Sequence, residues 1–310
     1  MKVRVPVMIQ DPATARFEEM PVLEHFDIER EEFFLDGPVT RRLAVVDFDP
    51  RTGMVTATVP FRPAPEGRTL GVYDVVSETD LEAEDLLKVS VFGMVLKTMY
   101  MFEEEDTLGR ELLWSFEADQ LLIVPRAGEW ANAFYERSSH SIQFFSFKGG
   151  GASVHTALSR DIVAHETGHA ILDGIAPDLY NATTPQSLAL HEAIADMSAL
   201  IMAFRSHNLR ESILARTVGS IKQSSAFASI AEEFGLAIGR PGSLRDLLND
   251  FSLDPEAEHP IAHDEPHELS QVLSGALYST IVRLHEHLVQ ELMGQGVAKL
   301  PAAGKALGLA

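Results

Sequence analysis

Asp161-Ile162-Val163-Ala164-His165-Glu166-Thr167-Gly168-His169-Ala170-Ile171-Leu172-Asp173 places two histidines four residues apart inside a largely apolar run. The run predicts a helix, and residues four apart on a helix lie one turn above each other on a single face. Both imidazoles can then reach one ion at the roughly 2.0–2.1 Å of a zinc–nitrogen bond. Glu166 projects near the same face, where it can hold a water at the metal rather than the metal itself. Gly168 weakens such a helix by about 1 kcal/mol relative to alanine, which is consistent with close approach of another segment. The plain alternative is a pair of helix histidines that are solvated or bonded to core carbonyls.

A second constellation lies downstream. Thr184-Pro185 reads as an N-cap followed by proline at the first helical position. The helix it opens carries His191-Glu192-Ala193-Ile194-Ala195-Asp196. Glu192 and Asp196 share a face. One carboxylate can ligate zinc, and the other can accept the ring N–H of a ligand histidine and fix its tautomer. His191 lies about 100° around the helix from Glu192 and reads as structural. Paired acids on a helix usually mark a solvated face. Leu188, Leu190, Ile194, Ala195 and Met197 around these two argue against that here.

Outward from these helices the composition divides near residue 150. Before it, Leu43-Ala44-Val45-Val46-Asp47-Phe48 and Met54-Val55-Thr56-Ala57-Thr58-Val59 flank Asp49-Pro50-Arg51-Thr52-Gly53 and predict a hairpin. A helix is expected over about residues 80–105, with Leu87, Val91, Met94 and Val95 at helical spacing. Strands are expected over residues 120–125 and 141–147, ending at Gly149, Gly150 and Gly151. From about residue 159 the chain reads as mostly helical. Three regions follow: a β-rich 1–75, an α/β lobe over 76–175 and a helical lobe over 176–310.

The bulk properties set limits. With 45% hydrophobic residues, 310 residues can bury a large core. The net charge of −21 opposes nonspecific binding to nucleic acid or anionic membranes. Absence of cysteine removes thiolate chemistry and cysteine metal sites. Met1-Lys2-Val3-Arg4-Val5-Pro6 lacks the apolar stretch of a signal peptide. No run of about 18 uninterrupted apolar residues suggests a membrane span. The expectation is a soluble protein, cytoplasmic by default, with signal-independent export as the other route.

Together these motifs resemble the thermolysin-like neutral zinc metallopeptidases, or gluzincins, over about residues 90–285. His165-Glu166-Thr167-Gly168-His169 matches the family's zinc helix, with Asp161 and Asp173 flanking it as in the family. Glu192-Ala193-Ile194-Ala195-Asp196 is similar to the family's Glu-Ala-Ile-Ser-Asp. That match implies Glu192 as third ligand and Asp196 behind His165, and Asp173 could serve His169 in the same way. The interval from His169 to Glu192 is slightly longer than usual, which a loop around Asn181-Ala182-Thr183 can absorb. Asn132-Ala133-Phe134-Tyr135 is similar to the family's edge strand, which implies substrate binding by Asn132, Ala133 and Phe134 through β-pairing. Tyr180 matches a tyrosine that stabilises the tetrahedral intermediate. Ser243-Leu244-Arg245 matches a segment whose arginine binds the substrate carbonyl. His267 matches the family's transition-state histidine, with Asp264 as its carboxylate partner at a shorter gap than usual.

The resemblance implies an α+β, two-lobed zincin with a β-rich N-terminal lobe, a mainly helical C-terminal lobe and the active-site cleft between them. It implies one zinc ion and a peptide or protein substrate, with no nucleic-acid or membrane partner. Glu166 would act as general base, and the residue after the scissile bond would be apolar, held near Ile162 and Leu244. Structural calcium is expected to be absent, because Ala203 stands where the family has a bridging carboxylate and Phe204-Arg205-Ser206-His207-Asn208 offers no acidic cluster. Only 43 residues follow His267, so the C-terminal subdomain is expected to be abbreviated unless the chain continues. Three rivals stand beside this reading. One is a catalytically weak or inactive version that binds peptides, another a helical protein with an accidental motif, and the third an aminopeptidase of the wider zinc–glutamate class.

Overall fold

The computed structural model describes residues 2–309 apart from 13–14, 16–18, 20, 32, 50, 150, 182–183, 223–224, 241 and 262. It is a mixed α+β fold with two four-stranded sheets. The first sheet has the order β2-β1-β5-β4, from β1 (Lys2–Met8), β2 (Leu23–Ile28), β4 (Phe61–Arg62) and β5 (Leu70–Tyr73). The second has the order β3-β6-β8-β7, from β3 (Leu43–Val45), β6 (Leu121–Val124), β7 (Ala133–Glu136) and β8 (Ser141–Phe144). The regions 1–75 and 76–175 are therefore interlocked, because β3 of the first pairs in parallel with β6 of the second.

Helix α1 (Glu84–Glu103) fulfils the helix expected over residues 80–105. It is buried on nearly every side, because β1 covers one face. A Cβ on Gly93 would stand 2.7 Å from both Val5 and Val7, so glycine sets how closely helix and sheet approach. Helices α2 (Arg160–Ile175), α3 (Pro177–Asn181) and α4 (Pro185–Phe204) follow. The Thr184 side chain caps α4 by accepting from the Ser187 N–H at 3.3 Å, with Pro185 in its first turn. Gly168 faces α4. A Cβ there would meet the Ser198 hydroxyl at 2.7 Å and Ala195 Cα at 3.1 Å, so the glycine lets the two motif-bearing helices touch. Among the described residues α4 alone is long and apolar enough to cross a membrane, and two-thirds of its most apolar stretch is buried. It lies between α2 and the long helix near the C-terminus.

Three sequence expectations change. The hairpin over residues 43–59 shortens to its turn end, where Phe48 bridges Val55 and the Asp49 and Thr56 N–H groups donate to the Met54 and Asp47 carbonyls, and its Pro50 lies outside the described residues. The start of the first run becomes β3, a buried strand at the opposite end of its sheet from β7, and Asp47 turns inward to Lys88, Arg126 and Thr56. The strand over 141–147 divides at Phe145 into β8 and β9 (Ser146–Gly149). Thr156 causes the division: its hydroxyl accepts from the Phe145 N–H at 2.9 Å, and its N–H donates to the Phe145 carbonyl. β9 pairs with β10 (Ala152–His155), and Gly150 between them lies outside the described residues.

Finally, residues 217–265 are mostly irregular rather than helical. They hold a short turn Ser225–Ala228, β11 (Ser229–Ile230), α6 (Glu232–Ala237) and β12 (Arg245–Asp246). The preceding helix, α5 (His207–Arg216), is stopped by left-handed Val218 and Gly219, and Pro255 and Pro260 interrupt the rest. Regular helix resumes with α7 (Pro266–Gly294) and α8 (Lys299–Leu309).

Candidate metal centre

A cleft of about 1240 Å³ is lined by β7, α2, α3, α4, the segment 230–245 and the N-terminal turn of α7. On its floor His165 Nε2 and His169 Nε2 face each other at 3.1 Å. Glu192 brings Oε2 to 3.3 Å from His165 Nε2 and Oε1 to 3.5 Å from His169 Nε2. Donors held about 2.0–2.2 Å from one tetrahedral ion stand about 3.3–3.6 Å apart, and the separations here run from 3.1 to 3.5 Å. Among the described residues this is the one group of three or more histidine or acidic ligands that converge closely enough to hold a metal ion. Ala182 and Thr183, expected to absorb the longer ligand interval, lie outside the described residues.

The charge balance of the cluster also suits a cation. Glu192 and Asp196 face a single buried guanidinium, that of Arg245. Burial and Arg245 press His165 toward neutrality, but Asp196 and Glu192 outweigh them and carry it up to about 9. Burial opposes ionisation of Glu192 too, yet His169, His165 and Arg245 hold its carboxyl far below the usual range. Desolvation drives His169, unlike His165, strongly toward the neutral form that ligates metals, so the positive charge facing Glu192 near neutral pH rests on His165 and Arg245.

Each remaining site residue has a definite place. Asp196 Oδ1 lies 3.1 Å from His165 Nδ1, although the alignment leaves Nδ1 without a hydrogen bond. Asp173 does not serve His169. Burial favours its protonation, but bonds from Arg137, Ser115 and Tyr135 dominate and lower it. His169 Nδ1 instead meets His191 Nδ1 at 2.7 Å, so the histidine read as structural stands directly behind a candidate ligand. His267 lies on the first turn of α7 with Nε2 3.5 Å from Glu192 Oε1. Its Nδ1 is 2.6 Å from Glu265, not Asp264, which is exposed. Glu265 is the N-cap of α7, and the cap geometry brings its side chain back over the helix start.

Glu166 is buried beside these groups, and desolvation pushes its carboxyl up to about 7. Its Oε2 accepts the backbone N–H of Tyr135 at 3.1 Å. β7 is the last strand of its sheet, so one of its edges pairs with no strand, and the Tyr135 and Arg137 N–H groups donate to the Glu166 and Tyr180 side chains. Asn132, Ala133 and Phe134 line the cleft along it. Tyr180 also lines the cleft. Its ring lies under Arg137 at 4.3 Å and stacks edge-on to Tyr135, while its hydroxyl accepts from the Arg137 N–H at 3.4 Å. Arg245 lines the cleft too, but it is buried against Asp196 and Glu192, so its guanidinium is already engaged. Sequence reasoning missed Ile230, Ala231 and Phe234, which complete an apolar wall with Ile162 and Leu244. No periodic pattern marks them, because they sit in the irregular segment.

Asp161 lies at the start of α2. Arg160 Nε donates to its Oδ1 at 2.8 Å, and Oδ2 accepts the Ala231 N–H at 3.3 Å. Arg160 also donates to the Ile9 carbonyl at 2.8 Å. A guanidinium thus pairs with the Asp161 carboxylate, and Ala203 is buried in the core. A ligand that binds only the native state raises its melting temperature by mass action. The protein should therefore melt at nearly the same temperature in millimolar calcium as in a magnesium control of equal ionic strength. A large calcium-specific rise would contradict this account of Asp161.

No model of a known protein family matches the chain, and no curated protein matches it.

Proposed function

We propose that the chain is a zinc-dependent endopeptidase of the thermolysin-like type, with the cleft between a sheet-containing lobe and a mainly helical lobe. One observation carries the reading. His165, His169 and Glu192 converge, while Glu166, from the same helix, lies against the N–H of an edge strand that borders the cleft. Zinc, when bound by those three residues, supplies a Lewis acid and a more acidic water.

The chain's own groups account for the rest. β7 can pair with an extended peptide and lay its carbonyl across the cleft floor. Glu166 is placed to take a proton from the attacking water and return it to the departing amine. The Tyr135 N–H fixes the direction of that carboxylate. His267, and Tyr180 if its hydroxyl leaves Arg137, are the donors nearest to charge developing on the substrate oxygen, where fixed donors count most. The Glu265 carboxylate behind His267 weakens the inactive peptide-binding alternative, whose main ground was the short gap to Asp264.

The apolar wall of Ile162, Ile230, Ala231, Phe234 and Leu244 sets the expected preference. One methylene in such a pocket is worth about 1–3 kcal/mol. The zinc-loaded protein should cleave blocked peptides on the amino side of Leu, Ile or Phe, and kcat/KM should fall about tenfold or more when Ala replaces them. Dependence on a free N-terminus would favour an aminopeptidase, and a preference for charged residues at that position would overturn the pocket assignment.

A further inference from the structure

We propose that Arg240 is a specificity residue that recognises a substrate carboxylate beyond the apolar pocket. The carboxylate is either an acidic side chain or the C-terminal carboxylate of a short peptide. This rests on the reading of the cleft as a peptide site.

The cleft is lined by two arginines and no lysine. Arg245 is buried, and its guanidinium is taken up by Asp196 and Glu192. Arg240 differs in each respect. It is exposed, and among the described residues no carboxylate lies within ion-pair distance of it. Its Nη1 donates to the Leu244 carbonyl at 2.7 Å, and Leu244 belongs to the apolar wall. That single bond fixes the guanidinium beside the pocket and leaves its other N–H groups available. In a chain of net charge −21, a cation held on a substrate cleft without an acidic partner is an isolated positive site.

The backbone under Arg240 is fixed as well. Its N–H donates to the Gly235 carbonyl at 2.9 Å after Gly239 turns into the left-handed region at φ +87°. Gly235 has no room for a side chain, since a Cβ would stand 2.3 Å from the Ser243 carbonyl carbon. The two arms of this loop therefore pack backbone to backbone. A purely structural role at the end of α6, where a cation suits the helix dipole, would use the same Leu244 contact. It would not require a position lining the cleft. A guanidinium accepts a carboxylate in a two-pronged contact that a lysine cannot reproduce.

The test is peptide binding to the zinc-loaded Glu166→Gln protein, read as dissociation constants. The peptides carry Leu after the scissile position, Glu, Gln or Lys at each of the next two positions, and a C-terminal acid or amide. One of these carboxylates should tighten binding about tenfold, in keeping with a hydrogen bond to a charged group. Which one does so identifies the source. Arg240→Ala should erase the difference, Arg240→Lys should keep part of it, and Arg240→Glu should invert it in favour of Lys-containing peptides. With Glu166 intact, the same preference should appear in KM rather than kcat, as for binding shared by ground and transition states. Equal affinity for acidic and neutral peptides, or a preference that survives Arg240→Ala, would overturn the proposal. Arg240-dependent binding without hydrolysis by the intact protein would overturn the peptidase reading and leave this assignment standing.

Discussion

Glu166→Gln should retain the metal and lose hydrolysis by about 10²–10⁴-fold, the usual worth of a positioned general base, whereas Glu192→Gln should lose the metal itself. The two glutamates occupy one cleft but differ in their partners. Glu192 has both oxygens within 3.5 Å of an imidazole Nε2, so its negative charge belongs to the ligand set. Glu166 has Oε2 on the Tyr135 N–H and is not part of that converging group. An amide in its place still accepts the Tyr135 hydrogen bond, so the strand and α2 should stay in register. What the amide cannot do is take up a proton. Metal content and peptide cleavage measured on the same preparations separate the roles. Equal metal loss in both variants would sink the division of labour. Hydrolysis that survives in Glu166→Gln would leave the general base unassigned.

The convergence of His165, His169 and Glu192 is legible in the sequence because its geometry is local. The i, i+4 spacing fixes His165 against His169 inside one helix, and Thr184-Pro185 announces the helix that delivers Glu192. Gly168 even signalled the close packing of the two helices, although not its partner Ser198. The groups behind the ligands were harder to read, since a hydrogen-bond partner depends on how elements dock. Helix angle alone turns His191 away from Glu192, but the crossing of α2 and α4 brings it onto His169. Asp173 was drawn away by Ser115, Tyr135 and Arg137, none of which shares a motif with it. Glu265 overtook Asp264 because capping reverses the direction of a side chain at a helix start. The cleft wall at residues 230–245 was illegible for a different reason. It is held by backbone contacts around Gly235, which leave no hydrophobic period to read.

The second large effect concerns Asp11, just beyond β1 and far in sequence from the metal ligands. Its Oδ2 accepts the Glu233 N–H at 3.1 Å, at the start of the cleft-wall helix α6, while its buried Oδ1 has no hydrogen-bond partner. Asp161 of α2 faces it with Oδ1 on Arg160, and Glu233 adds further negative charge nearby. Burial, then the charge of Asp161, pushes the Asp11 carboxyl up to about 7. An unfolded aspartate titrates near 3.9, so the folded protein holds the extra proton. The stabilisation from that proton is complete below about pH 4 and is lost as pH rises through about 7. Between about pH 5 and about pH 8 the loss amounts to about 3 kcal/mol. Asp11→Asn preserves the shape and the acceptor for the Glu233 N–H, adds donors toward Asp161 and does not titrate. The variant should therefore melt above the parent at about pH 8, and the difference should shrink toward about pH 5. Parent and variant melting curves that run parallel across this range would show that Asp11 is not the group that ties the end of β1 to the cleft wall in a pH-dependent way.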